Sequence, residues 1–414
     1  MHRRPLAVLA AAPILFYQDI LPILERRCQS CHRPGEAAPM ALLTYQQVRP
    51  YARAIRDAVL RRSMPPWFAD APPGAFANDP RLTPAEIHTL RQWVAGGALP
   101  GTPRPPTRQW PDGWRIPPPG AVFSMPLPFS IPPSGEVDYQ HVIVPTGFST
   151  DRWVTALEIR PQSRAHVHHA VVFVRPPRSQ WLRNQPAGVL FTAKGQALQG
   201  LSTLDEVIAA YLPGADPHLL PPGQAKLIPA GSDLIFQIHY TANGRPASDQ
   251  TRLGLVFAAE PPLIRHYSLS IAQGDFSIPP LARAHPVQAE FVVNTPTHIY
   301  ALAPHMHLRG KSMRVRAIEP DDSQRLLLDV PAYNFYWQLL YRPAKPIPIP
   351  RGTRLLVDAV FDNSPANPRN PDPRATVGWG EQSREEMAVC FIDFLLPLPI
   401  SPNELFRAPR LLGR

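Results

Sequence analysis

With 56 prolines spread through 414 residues, this chain has few stretches that can run as long helices. Each proline fixes φ and removes a backbone donor. The prolines scatter among apolar runs instead of forming one tract, the pattern of a loop-rich β protein with rigid connections. From about residue 136 the runs are short and bounded by Pro, Gly or Asn: "DYQHVIV", "HHAVVFV", "SDLIFQIHY", "AEFVVN", "RLLVDAVF", "MAVCFIDFLL". Strands with turn signals between them predict antiparallel sandwiches. Roughly 265 residues is large for one sandwich. A boundary near "AAEPPLIRHY" gives two antiparallel β-sandwich, jelly-roll-like domains over 136–260 and 261–400, with a tail over 401–414.

The chain before residue 136 has a different texture. "MHRRPLAVLAAAPILF" has two arginines, then an apolar run with small residues. It reads as a signal peptide over 1–15, and so as a periplasmic or otherwise exported protein; the alternative is the first turn of a soluble helix. The run is too short for a permanent anchor, and no other segment reads as an integral membrane span. Residues 16–100 read as helical. "TYQQVRPYARAIRDAVLRR" opens with Thr44 and Gln47 in a capping-box pattern, with Pro50 expected to divide it. "TPAEIHTLRQWVAGG" has Thr83 as cap, Pro84 at the first position, Glu86 closing the box and Gly96-Gly97 as the stop. Residues 101–135, with "RIPPPG" and "SIPPSG", read as a proline-rich semi-rigid linker. The net charge of +10 comes without a dense Lys/Arg block, so it does not predict nucleic acid binding. It suits anionic membranes or acidic redox partners.

Cys28, Cys31 and His32 stand in "CQSCH", the attachment pattern for c-type haem. Two thiols form thioethers to the haem, and the adjacent histidine is held under the iron. A redox dithiol wants a βαβ context, and this motif follows a helix. A zinc site needs further ligands, and the only other cysteine is Cys390. For the sixth ligand, Met64 in "SMPPWFAD" is favoured, with Pro65-Pro66 stiffening its loop, and Met40 is the alternative. His/Met ligation raises the potential and suits electron transfer. The segment over 16–100 resembles a small class I-type cytochrome c. The fold class expected is therefore a small all-α cytochrome c domain followed by the two sandwiches.

The β half is rich in histidine. "AHVHHAVVF" has three in four positions, His166, His168 and His169; "LIFQIHY" adds His239; "LAPHMHLRG" adds His305 and His307. Residues two apart share a strand face, so His305 and His307 can reach one metal. The same rule pairs His166 with His168 and turns His169 away. Singly, each histidine can be a core residue bonded to a carbonyl, and His141, His218, His266, His285 and His298 are read that way. Together the clusters predict a metal, zinc or copper, and a thioether from Met387 in "REEMAVCF" would favour copper.

The order "HH" before an apolar strand, then "QIHY", "HxH" and "EEM" resembles the copper type II, ascorbate-dependent monooxygenases, the peptidylglycine and dopamine hydroxylases, across 136–400. The resemblance implies one copper on His168, His169 and His239 and a second on His305, His307 and Met387, facing each other across a solvent cleft. The second would activate O2 against a substrate C–H bond and the first would store an electron. Pairing His168 with His169 needs a bulge at the strand's start. Its partners would be O2, a small-molecule substrate and an electron donor, either an ascorbate-like reductant or a redox protein. The haem would take over some or all of the ascorbate role.

The departures are specific. Relatives carry disulfides in these domains, which Cys390 alone cannot supply. The positions where the peptide-specific enzymes anchor a carboxylate hold Ala303, Val389 and Phe391. An apolar or aromatic small substrate is expected instead. The alternative function is a copper electron carrier or sensor without hydroxylase activity. A third reading is a cytochrome on a carbohydrate- or protein-binding sandwich.

Overall fold

The computed structural model describes residues 12–193 and 205–407. The run read as a signal falls largely on residues 1–11, and the end of the tail on 408–414; both lie outside the described residues. The chain forms two compact units. One takes residues up to Trp67 together with Pro80–Trp110; the other takes Phe68–Asp79 and everything from Pro111.

In the first unit, Phe16–Ile20 forms a π-type turn that passes into an α-helix, Leu21–Arg27. Thr44 accepts from the Gln47 amide and Gln47 reaches back, closing the capping box before the Tyr45–Val48 helix. Pro50 then forces a 3-10 turn, Arg49–Tyr51, before the Ala52–Leu60 helix begins. Thr83 and Glu86 form the second box, ahead of Pro84–Ala95. Phe16, Ile20, Leu24, Val48, Leu90 and Trp93 make the core. The four α-helices among the described residues of this unit are 4 to 12 residues long. An all-α cytochrome c fold is not evident from them. Pro34, Gly35 and Pro39 break the chain after the first helix, and Pro65, Pro66, Pro72 and Pro73 break it after the third.

Phe68–Asp79, expected with the helices, packs in the β unit instead. The Asp70 amide donates to the Asp329 carbonyl, Ala77 to Arg342, and Phe76 meets the Tyr341 ring edge-on. The linker expectation over 101–135 also changes. Ala121–Ser124 pairs with Arg252–Phe257, and Phe129–Ile131 pairs with Ala247–Asp249. Pro126 and Pro128 flank these strands, and Pro132 and Pro133 follow the second, so the prolines bound the pairing without interrupting it.

The β unit is mostly sheet. A four-stranded sheet, ordered Gln140–Pro145, Asp233–Tyr240, Val167–Arg175, Glu206–Tyr211, packs face to face on a nine-stranded one. Val142, Val172, Phe236 and Ile238 from the first meet Val154, Leu157, Leu253 and Leu255 from the second. A five-stranded sheet containing Gly310–Ile318, Arg354–Phe361 and His285–Val293 packs on the far half of the nine-stranded sheet. The two halves are not separate sheets. Gln224–Ile228 pairs in parallel with Ile264–Gln273, so one sheet runs through both. That joint fixes the histidine-bearing strands relative to each other.

Candidate metal centre

Three strands bring the histidines together. His239 is the last residue but one of the Asp233–Tyr240 strand, and His169 lies directly opposite it. Between Val167, paired with Tyr240, and His169 the register shifts, so His168 is the extra residue of a β-bulge. Without the bulge His168 and His169 would face opposite sides; with it, both reach His239. The Nδ1 atoms of His168 and His169 are 3.2 Å apart, as are those of His168 and His239. Among the described residues, these three form the group of candidate ligand atoms lying within 4.8 Å of one another. Neutral imidazole nitrogens that close repel through their lone pairs unless a proton or cation lies among them. The donor set fits a metal.

His166 is not part of this group. Its Nδ1 lies 2.8 Å from Ser163 Oγ and its Nε2 lies 3.3 Å from the Arg245 carbonyl, so both nitrogens are spent on the turn.

His305 closes the Thr297–His305 strand and His307 lies just beyond, their ring centroids 5.2 Å apart. His305 Nδ1 sits 2.8 Å from Gln338 Oε1, and His307 Nδ1 sits 3.1 Å from the Glu385 carbonyl. Those oxygens only accept, so Nδ1 carries the proton and Nε2 keeps its lone pair in each ring. His307 Nε2 is buried with no hydrogen-bond partner. A buried lone pair without a donor is a vacant ligand position. Met387 is buried and comes two residues before Val389, the partner of His305 across the sheet. Cys390, the residue after Val389 in that strand, faces away from the His305 side.

Burial keeps every one of these rings neutral. It pushes His168 and His305 down to about 4 and His169, His239 and His307 well below their ordinary value; neighbouring imidazoles add to the effect at His168, His169, His239 and His307. Neutral imidazole is the ligating form.

The resemblance implied a solvent cleft between the two sets, and the structure closes it. The rings of His169 and His305 are 5.8 Å apart between centroids, too close for a water layer. Tyr139 stacks on His239 at 4.4 Å and lies 6.1 Å from His307; Phe335 stacks on His168 at 4.9 Å and lies 6.2 Å from His307. The segment before Met387 ties the halves together: Ser383 Oγ is 3.3 Å from His239 Nε2, and Gln382 accepts from the Tyr139 amide.

Two glutamates, Glu385 and Glu386, precede Met387 in "REEM". Glu386 is fully buried and accepts from the backbone amides of His307 and Arg309. Burial raises its carboxyl to about 8, against those hydrogen bonds, which lower it. The turn is clamped from its other side by Tyr333, whose hydroxyl donates to the Met306 carbonyl at 2.8 Å and accepts from its amide at 3.1 Å. Gly310 permits that approach. A Cβ there would lie 2.6 Å from Met306 Cβ and 2.9 Å from the Tyr333 ring. Gly310→Ala is expected to cost on the order of 1–3 kcal/mol of stability, read from the denaturant midpoint of the copper-free chain. An unchanged midpoint would show that the turn does not need the clamp.

In the helical unit, neither Cys28 nor Cys31 is in a disulfide. His32 Nδ1 is 3.3 Å from the Met40 carbonyl, which leaves His32 Nε2 as the free nitrogen. The Met40 side chain packs on the core. No helix of the described residues is long and apolar enough to cross a membrane.

Residues 276–404 match the family described as "Copper type II ascorbate-dependent monooxygenase, C-terminal domain". The match covers the segments carrying His305, His307 and Met387 and supports that family for this part of the chain, and with it a copper monooxygenase as the kind of enzyme. No curated protein matches the chain. Among solved structures, the chain is similar to the infectious bursal disease virus Gx strain at 10% identity, covering 69% of this chain and 74% of that one at a TM-score of 0.19. For the VP2 subviral particle of the same virus the values are 10%, 69%, 74% and 0.20. For the STIV MCP they are 9%, 59%, 95% and 0.21. TM-scores this low carry no argument.

Proposed function

We propose that the chain is an exported, copper-dependent monooxygenase that hydroxylates a C–H bond of a small substrate, fed with electrons by an N-terminal haem. The observation that carries this reading is the convergence of five neutral histidines, four of them buried, with three Nδ1 atoms turned on one another and the His307 Nε2 lone pair unpartnered. His168, His169 and His239 would hold one copper; His305, His307 and the Met387 thioether would hold the other. Bound copper supplies one-electron redox change and reduction of O2. The overall reaction balances as R–H + O2 + two electrons + two protons to R–OH + water.

The chain's own residues do the rest. Gln338 and the Glu385 carbonyl hold the Nδ1 protons of His305 and His307, and Ser383 does the same for His239 Nε2, so each ring offers one defined nitrogen. Tyr139 and Phe335 exclude water between the two sets. Cys28, Cys31 and His32 would hold a haem c, with Met64 as sixth ligand. Met40 is less suited, because its carbonyl engages the back of the His32 ring and its side chain packs on the core. A haem carries one electron, so it would serve twice per turnover.

The test is haem and copper stoichiometry with O2 uptake. One haem, two coppers and reductant-driven O2 consumption with a small aromatic substrate are expected. Met387→Ala should keep the three-histidine copper and lose more than about 100-fold in turnover. Two tight coppers with reversible haem–copper exchange and no O2 consumption would replace this reading with the copper electron carrier.

A further inference from the structure

A cavity of about 100 Å³ opens beside the histidines and runs away from them. Its walls are apolar, among them Val171, Val207, Ala303, Leu339 and Phe391. Its course follows the Ala388–Pro397 strand. His305 lies opposite Val389, Ala303 opposite Phe391, and Ala301 and Ser268 opposite Asp393. Residues 389, 391 and 393 share a face, and four residues of strand span about 13 Å. So His305 and His169 line one end, and Asp393, Ser268, Lys226 and His218 line the other.

That far end is built, not incidental. Lys226 is 1% exposed, a degree of burial a lysine reaches only with partners. Its ammonium donates to the Val207 carbonyl at 3.0 Å and to Ser268 Oγ at 2.5 Å, and Asp393 Oδ1 is 3.9 Å away, beyond hydrogen-bond range. Ser268 Oγ donates to Asp393 Oδ1 at 3.0 Å, and His266 Nδ1 lies 3.0 Å from Oδ2. Arg265 and Glu206 pair behind them at 2.7 Å. Lys226 thus has two of its three protons engaged, and the charges around the cavity come in opposite pairs. An added anion faces Asp393 and an added cation faces Lys226, each at a desolvation cost that pairing does not offset. A neutral group that both donates and accepts meets no such penalty.

We propose that this cavity is the substrate subsite, and that it selects a single-ring, neutral molecule bearing one hydroxyl, a phenol-class compound. The hydroxyl lies between Lys226 and Asp393 and the opposite edge of the ring lies towards His305. The volume is of the order of the ~150 Å³ apolar cavity that accepts benzene, which limits the substrate to one ring. The assignment rests on the copper reading for its chemistry but not for its binding.

The experiment is calorimetry on the copper-free full chain with phenol, toluene, benzoate and benzylamine. Phenol is expected to bind at least tenfold more tightly than each of the other three. Lys226→Met should reduce the phenol preference over toluene to less than threefold, and Ala303→Leu should remove binding of every probe while leaving the circular dichroism unchanged. Toluene binding as well as phenol would overturn the hydroxyl assignment, and preference for benzoate or benzylamine would overturn the neutral class. The ranking of probes on the unsubstituted chain decides these outcomes even if a variant fails to fold. Failure here leaves copper loading and O2 uptake untouched, and failure of those leaves this ranking untouched.

Discussion

Acidified from pH 7 to pH 4 without copper, the chain is expected to lose the tertiary structure of its β unit, with the steepest loss below pH 6.5. Burial holds His141, His168, His218 and His305 at about 4, and His169, His239 and His307 well below their ordinary value. In the unfolded chain each returns to about 6.5. Between those values the unfolded state binds more protons than the folded one, so stability rises with pH across the window and falls as pH drops through it. A tenfold difference in proton affinity is worth about 1.4 kcal/mol. Summed over the four histidines held at about 4, the effect is of the order of the ~5–15 kcal/mol that holds a domain folded. Above pH 6.5 these groups contribute their full stabilisation. Near-ultraviolet circular dichroism against pH reads the transition, and a full signal retained at pH 4 would refute the burial argument. Copper competes with protons for the same nitrogens, so loading should move the midpoint down. His141 and His218 lie outside the ligand sets, so part of the acid lability should remain in the loaded protein.

His239→Ala is expected to remove one of two tightly held coppers, weakening that site by more than about 100-fold. The His239 Nδ1 lies 3.2 Å from that of His168, and its loss leaves His168 and His169 as a pair. Ser383→Ala, which frees the His239 Nε2 proton, should weaken the same copper by about 10- to 100-fold without removing it. His166→Gln should leave the stoichiometry unchanged, because both His166 nitrogens serve the turn. Electron paramagnetic resonance with copper analysis reads all three variants. Two tight coppers in His239→Ala, or a lost copper in His166→Gln, would overturn the ligand assignment.

Much of the local structure was legible beforehand. Both capping boxes, at Thr44 and Thr83, form where the residue types place them, because a cap depends on atoms three residues apart. Pro50 divides its helix for a similarly local reason. The bulge at His168 was legible only conditionally. Alternation alone paired His166 with His168, and the resemblance asked for a bulge that the Val167–His169 register shift supplies. Other features had no local signal. Tyr139 and Phe335 are aromatic residues in unremarkable surroundings, nearly 200 positions apart, and nothing in either segment points to a shared histidine cluster. Glu386 is buried against two amide donors, from His307 and Arg309, that lie 79 and 77 positions away in the chain. Lys226 and Asp393 meet only because the strands bearing them both pair with Ile264–Gln273.

By itself, the sequence determined which residues are able to ligate, attach and cap: the thiols and imidazole of "CQSCH", the paired histidines, the methionine after two glutamates. Those are properties of side-chain chemistry and of spacing within a few residues. Tertiary structure alone decided that the two histidine sets lie in ring contact and not across water, and that a cavity leads from them to a buried lysine–aspartate pair. The reason is physical. A parallel pairing of only two residue pairs, Ile264 with Gln224 and Arg265 with Ala225, makes one sheet of two sandwiches. Distances across that sheet are set by long-range register, which no short stretch of chain encodes.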